Sequence, residues 1–225
     1  MPEAAAHHSI RVLRLRQGEP VCLFNGDGHE YAGRISQISK QSVEVALTRK
    51  SSPARESPFP ILLAQGISAG EKMDYTLQKA VELGVTNIQP IAAARSVVKL
   101  KDDRAEKRVQ HWQQVAISAC EQCGRNMVPR VAAVAALPNW LAELDHTTIT
   151  RLILSPTATV RLRSLPPPEG PVALLIGPEG GLTTEEIEMA QRHGFSAVSL
   201  GPRILRTETA ALATLAAMQA LWGDF

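Results

Sequence analysis

Ala173-Leu174-Leu175-Ile176-Gly177-Pro178-Glu179-Gly180-Gly181-Leu182-Thr183-Thr184-Glu185-Glu186 begins as an unbroken apolar run, turns through three glycines, and then opens a helix. A continuous apolar run of this length, bounded by turn residues, reads as a strand buried on both faces. Thr183 and Glu186 have the spacing of a capping box, which predicts a helix start. Glycines in such a turn let a ligand approach the backbone closely. Crevices at the carboxyl ends of parallel strands are where α/β sheets bind small molecules. Phosphate is a poor candidate: GxxxxGK[ST] and GxGxxG are both absent, and Glu179 in mid-loop would repel an anion. Ribose hydroxyls, an adenine edge or a positive centre suit the loop better. A tight turn that merely connects strand to helix would use the same residues.

A second segment repeats the arrangement: Val198-Ser199-Leu200-Gly201-Pro202-Arg203-Ile204-Leu205-Arg206-Thr207-Glu208-Thr209-Ala210-Ala211. Here Arg203, Arg206 and Glu208 precede an alanine-rich helix. Thr207 is the expected N-cap, and Glu208 falls in the first turn, where a carboxylate is favoured whether or not it does chemistry. The small residues over 210–217 allow close packing on a sheet or on a second subunit.

Working outward, residues 61–65, 85–91, 151–154, 172–176 and 197–200 read as strands, and 72–83, 103–123, 183–193 and 207–222 as helices. This alternation predicts a parallel α/β sheet. The front is different. Strands are expected at 21–24, 31–38 and 42–47, with Asn25-Gly26-Asp27-Gly28 as a turn between two of them. We therefore expect a small β-barrel over 1–52, a proline-rich linker over 53–60 and an α/β domain over 61–225.

The chain has 225 residues, 44% of them apolar and 20% charged, with a formal net charge of +2. That is an ordinary globular composition, neither disordered nor polycationic. Aromatic residues make up only 4%, which weighs against single-strand binding by stacked platforms. Charge is uneven. Residues 1–60 carry 8 basic and 6 acidic side chains and residues 95–130 carry 8 and 4, whereas residues 131–225 carry 6 and 9. A polyanion would favour the front and the middle. Three cysteines cannot make a disulfide framework, and Cys120-x-x-Cys123 lacks the second pair a structural zinc site wants, so no metal is expected. His7-His8 reads as a terminal surface pair, and Trp112 and Trp222 as packing residues. The opening MPEAAAHHS has no basic end before an apolar run, so a secretory signal is not expected and a reducing cytoplasm is.

Together GPEGGLTTEEI and LGPRILRTETAA strongly resemble RNA methyltransferases of the SPOUT superfamily. The nearest resemblance is to the ribosomal RNA small subunit methyltransferase E family, the 16S rRNA uridine N3-methyltransferases. Further blocks agree in order, namely Arg11-Val12-Leu13-Arg14, Leu23-Phe24-Asn25-Gly26, Gly70-Glu71-Lys72-Met73, residues 78–85 and Cys120-Glu121-Gln122-Cys123-Gly124-Arg125. The resemblance implies a PUA-like β-barrel followed by a trefoil-knotted α/β domain, S-adenosylmethionine as methyl donor, and a homodimer. It implies three cofactor-binding loops: Leu154, Ser155 and Pro156; Ile176, Gly177, Pro178, Glu179, Gly180 and Gly181; and Leu200, Gly201, Arg203, Ile204, Leu205, Arg206, Thr207, Thr209 and Ala210. Backbone groups of Ile176, Gly177, Gly181, Leu200 and Leu205 would hold the adenosine and methionine parts.

Methylating uridine N3 requires loss of an imide proton whose pKa lies well above neutral. A cation near O2 or O4 would stabilise the anionic base, and a carboxylate could take the proton. Arg206 and Glu208 supply one of each and are the expected catalytic pair. Binding of 16S rRNA or the small subunit is expected at Arg11, Arg14, Arg16, Arg95, Lys99, Lys101 and Arg125, with Arg104, Lys107 and Arg108 in the same basic stretch, although such runs often only keep a helix soluble. Two other readings stay open: a non-catalytic RNA-binding or ribosome-assembly factor, and a methyltransferase acting on a ribose 2′-hydroxyl or a tRNA guanine.

Overall fold

The computed structural model describes residues 1, 6, 10–11, 13–39, 42–98, 102–144 and 150–225. The chain divides into two compact units, Met1–Arg55 and Glu56–Phe225.

In the first unit, β1 (Pro20–Leu23), β2 (Glu30–Ile38) and β3 (Val43–Ser51) form an antiparallel sheet in that order. The β1–β2 turn forms where the sequence predicts it. Gly26 and Gly28 sit at φ 88° and 84°, and Asp27 accepts from the His29 amide at 2.9 Å and the Tyr31 hydroxyl at 3.1 Å. Ala32 opposes Arg49 and Gly33 opposes Leu47, so Thr48 is an extra residue in β3. Its hydroxyl closes this bulge by donating to the Ala32 carbonyl at 3.1 Å. Ile35, Val43 and Ala6 form a small core on one face.

The second unit holds a parallel sheet in the order β10-β8-β9-β4-β5-β6, with β7 also paired to β5. Its strands are β4 (Ile61–Gly66), β5 (Asn87–Ala92), β6 (Arg130–Val131), β7 (Ala135–Ala136), β8 (Thr150–Leu154), β9 (Val172–Ile176) and β10 (Ser196–Val198). The helices are α1 (Glu71–Glu82), α2 (Asp102–Cys123), α3 (Leu137–Glu143), α4 (Thr184–Arg192) and α5 (Thr207–Trp222). Every residue of β9 is buried, as its apolar run requires. Ala64, Ala173 and Leu175 pack against Leu137, Trp140 and Leu141 of α3, Ala190 of α4 and Phe195. Residues alternate across a strand, so Leu63 and Leu174 face the opposite layer.

Periodicity locates most of the longer elements to within two residues, but it ends β3 at 47, four residues short of Ser51, and it misses β6, β7 and α3. Two-residue strands have no period to read, and seven helical residues beginning Leu137-Pro138 are too few to show one. Pro90 looks wrong for a central strand because it cannot donate to a ladder. The flanking edge is broken there: β6 pairs with Asn87 and Ile88, and β7 with Ile91 and Ala92. The Gln89 side chain bridges the gap by donating to the Ala133 carbonyl at 2.7 Å.

Among the described residues, no helix is long and apolar enough to cross a membrane, and no group of three His, Cys, Asp or Glu could hold a metal. Burial pushes the Cys120 thiol up to about 11, so it is neutral at ordinary pH. Trp112 is fully buried, and its indole N–H donates to Asp74 at 3.0 Å, tying α2 to α1.

Candidate active site

Three connections leave the carboxyl ends of neighbouring strands β10, β8 and β9 and wall a cavity of about 660 Å³. That volume lies within the range of small-molecule sites. The connections are tied together. Ser155 donates its amide to the Val198 carbonyl at 2.9 Å, and Ser199 and Leu162 bond the loop after β8 to the start of the loop after β10.

The turn after β9 is held from below by glycines. A Cβ on Gly177 would lie 2.9 Å from the Leu182 amide nitrogen. A Cβ on Gly66, at the end of β4, would lie 2.4 Å from the Pro178 nitrogen and 2.6 Å from its Cδ. The two strand ends thus touch at backbone level. Gly66→Ala is expected to cost about 1–3 kcal/mol, because backbone on both sides must shift. A thermal melt measures it, and wild-type Tm would show that the Pro178 turn moves aside freely.

Thr183 and Glu186 form the expected capping box. The Thr183 hydroxyl accepts from the Glu186 amide at 3.2 Å, and the Glu186 carboxylate accepts from the Thr183 amide at 2.9 Å. The other Glu186 oxygen accepts from Ala94 at 2.8 Å, which pins the loop after β5 to the same corner.

Glu179 does not offer a free charge to the cavity. Its Oε1 accepts from the Ala69 amide at 2.9 Å and lies 3.5 Å from Lys72 Nζ. Burial pushes this carboxyl up, but the Ala69 amide, its own amide and Lys72 outweigh it and hold it below the usual carboxylate range. It is therefore ionised at neutral pH and clamps the turn to the β4–α1 connection.

The N-terminus of α5 departs from expectation. Arg206, not Thr207, occupies the N-cap, and its side chain makes no capping bond. Thr207 is buried one residue inside, donates its hydroxyl to the Gly177 carbonyl at 2.6 Å, and accepts from Gln65 at 2.9 Å. Its hydroxyl serves the β9 turn because the chain enters the helix pressed against that turn. Glu208 lines the cavity half-buried, and its Oε2 is buried with no hydrogen-bond partner among the described residues.

The RNA methyltransferase domain family matches residues 55–219, and the RNA methyltransferase PUA domain family matches residues 2–48. The "Ribosomal RNA small subunit methyltransferase E" of Buchnera aphidicola from Schizaphis graminum is 36% identical over 100% of this chain and 91% of its own. The chain belongs to the ribosomal RNA small subunit methyltransferase E family. The Bacillus subtilis methyltransferase E is 34% identical over 94% of this chain and 86% of its own. The methyltransferase E of Neisseria gonorrhoeae, solved bound to S-adenosyl methionine, superposes with TM-score 0.94 at 44% identity, covering 100% of this chain and 92% of that one. A Legionella pneumophila structure in complex with bound SAM gives TM-score 0.95 at 42% identity, with the same coverage.

In this methyltransferase E family member, the residues expected from sequence fall unevenly. Leu154, Ser155 and Pro156, the whole stretch 176–181, and Leu200, Gly201, Arg203, Ile204, Leu205, Arg206, Thr207 and Ala210 line the one cavity. Thr209 does not: it is exposed on the first turn of α5, and its place on the cavity side is taken by Glu208 and Ala210. Lys72, Thr157, Leu182, Thr184 and Ile187 also line the cavity and escaped the sequence reading. Thr184 and Ile187 follow the glycine turn directly and share a helix face one turn apart, a spacing that could have flagged them.

The basic residues also divide. Arg11, Arg14 and Arg16 are exposed ahead of β1, and Arg104 and Lys107 are exposed on α2. Arg95 is exposed and reaches the cavity. Lys99, Lys101 and His7-His8 lie outside the described residues. Arg125 is a correction. It is 5% exposed, pairs with Glu56 and donates to the Val81 and Val85 carbonyls at 2.8 Å each, so its guanidinium is committed inside the fold.

Proposed function

We propose that this protein transfers a methyl group from S-adenosylmethionine to N3 of a specific uridine in 16S ribosomal RNA of the small subunit. Convergence of the three loops on one cavity, with a buried unpartnered carboxylate oxygen in its wall, carries the reading.

The residues present fit the donor. S-adenosylmethionine has no phosphate, and the cavity offers backbone groups and small residues without a phosphate cradle. Space lies open where a Cβ would stand on Gly181 and Gly201. Backbone groups of Ile176, Gly177, Gly181, Leu200 and Leu205 would hold it. When bound, it supplies an electrophilic methyl on a sulfonium. Every remaining task falls to the chain. The loops must exclude water and align the uracil nitrogen. Glu208 Oε2, lacking a donor of its own, is suited to accept the imide proton. Arg206, exposed beside it at the cavity edge, is suited to steady the anionic base or an adjoining phosphate.

The reading includes contacts to RNA from Arg11, Arg14 and Arg16 in a PUA-like RNA-binding unit, a homodimer, and action in the cytoplasm on the ribosomal subunit. It also includes trefoil threading of the chain. In support, the segment from Ser199 bonds to the loop after β8 at Val160 and Leu162 and then reaches Gly177 and Gln65 through Thr207. Mass-spectrometric mapping of rRNA from a strain lacking this protein tests the function. One N3-methyluridine should vanish and return on complementation. An unchanged map, or loss of a methyl elsewhere, would overturn the assignment.

A further inference from the structure

We propose that Lys72 and Arg95 form a phosphate clamp at the rim of the cavity, gripping the RNA backbone beside the nucleotide to be methylated. This rests on the methyltransferase reading and deepens it. The sequence gives Lys72 no role and groups Arg95 only with a broad basic stretch.

Both side chains line the cavity, yet they come from the first turn of α1 and from the β5–α2 connection, not from the three loops assigned to the cofactor. They converge on consecutive residues of the glycine turn. Lys72 Nζ lies 3.5 Å from Glu179 Oε1, and Arg95 Nη1 donates to the Gly180 carbonyl at 3.2 Å. Gly180 lacks room for a Cβ because the Arg95 stem packs there, with Arg95 Cβ 2.9 Å from the ideal position. S-adenosylmethionine has no phosphate, and its single anionic group, the methionine carboxylate, cannot occupy two cations held on separate residues of the turn as a run of backbone phosphates can. An RNA strand whose base enters the cavity brings phosphates to this rim. Arginine and lysine are the residues that neutralise them.

The clamp is preorganised. Residues 93–96 are closed by the Ala93 amide on Ser96 Oγ at 3.1 Å and by the Ala94 amide on Glu186. Arg95 spends one donor on Gly180 and has further donors in its fork. Lys72 is releasable. At 3.5 Å its pair with Glu179 is longer than a hydrogen-bonded ion pair, and Glu179 keeps its Ala69 amide if the ammonium turns away. The Lys72 side chain is 44% exposed, so a phosphate can reach it.

The test uses Lys72→Gln, Arg95→Gln and Lys72→Arg in the full chain. Small ribosomal subunits from a strain lacking this protein serve as the RNA probe. Each Gln variant should raise the KM for subunits roughly tenfold and reduce the slope of log affinity against log salt by about one. Cofactor affinity by calorimetry should stay within twofold, and Lys72→Arg should restore the slope. An unchanged slope, or a loss falling on the cofactor, would overturn the clamp. Should the wild type fail to bind cofactor, the methyltransferase reading falls, while the salt slope still reports separately on the clamp.

Discussion

Glu208→Gln is expected to slow methyl transfer by roughly 10²–10⁴-fold, the range by which a positioned general base contributes, while leaving cofactor affinity within twofold. The substitution keeps the shape of the side chain and removes only its charge and basicity. Glu208 sits in the first turn of α5, so the bland role is complementing the helix dipole. That role is worth about 0.3–1 kcal/mol and would appear in Tm alone. What favours chemistry is the buried Oε2, which no donor among the described residues satisfies, on the wall of the cavity. A buried acceptor without a partner costs about 1–3 kcal/mol, and a substrate N–H entering the cavity would relieve that cost. The pH profile separates the roles further. Without the carboxylate, the imide proton must leave to solvent base, so the variant should recover rate as pH rises. A Gln variant with full turnover, or one whose loss is matched by lost cofactor affinity, would remove Glu208 from the reaction.

The parts of the site that sequence made legible are those whose neighbours in space are neighbours in the chain. Residues 173–186 show a strand by continuous apolarity, a turn by glycine and proline, and a helix start by Thr183 and Glu186, and all three form as read. The segment 200–210 is similarly local, apart from Thr207. Its position suggests a local cap, but its hydroxyl donates to the Gly177 carbonyl, thirty positions away. Lys72 and Arg95 meet the turn at Glu179 and Gly180 across 107 and 85 positions, and no periodicity links residues at such separations. Gly66 escaped notice for the same reason, since its need to be glycine is set by Pro178. Charge was the least transferable signal. Composition marks the basic middle segment, but cannot separate a guanidinium in solvent from one buried between carbonyls.

Arg125→Leu makes that last distinction measurable, and we expect it to destabilise the protein by about 3 kcal/mol. Gly124, at φ 79°, ends α2 by donating its amide to the Cys120 carbonyl at 2.9 Å. The chain then turns so that Arg125 enters the gap between the end of α1 and Glu56. There one Nη donates to the Val81 and Val85 carbonyls at 2.8 Å each, where α1 gives way to its following turn, and Nε and the other Nη pair with Glu56. Leucine fills part of the volume but leaves the Glu56 carboxylate uncompensated and the Val85 carbonyl without its guanidinium donor. Breaking one side of a buried pair costs about 3–5 kcal/mol. The low end applies because the Glu56 side chain is 24% exposed and retains some water. For a unit of this size that corresponds to a Tm lower by roughly 6–12 °C. Arg125→Lys keeps the charge but loses the fork, so it should fall between the two. The dependence of RNA binding on salt, measured below the melting transition, should match wild type in both variants. A reduced slope with unchanged Tm would return Arg125 to the RNA-binding surface, because a guanidinium on phosphate registers in counterion release and one holding α1 registers in the melt.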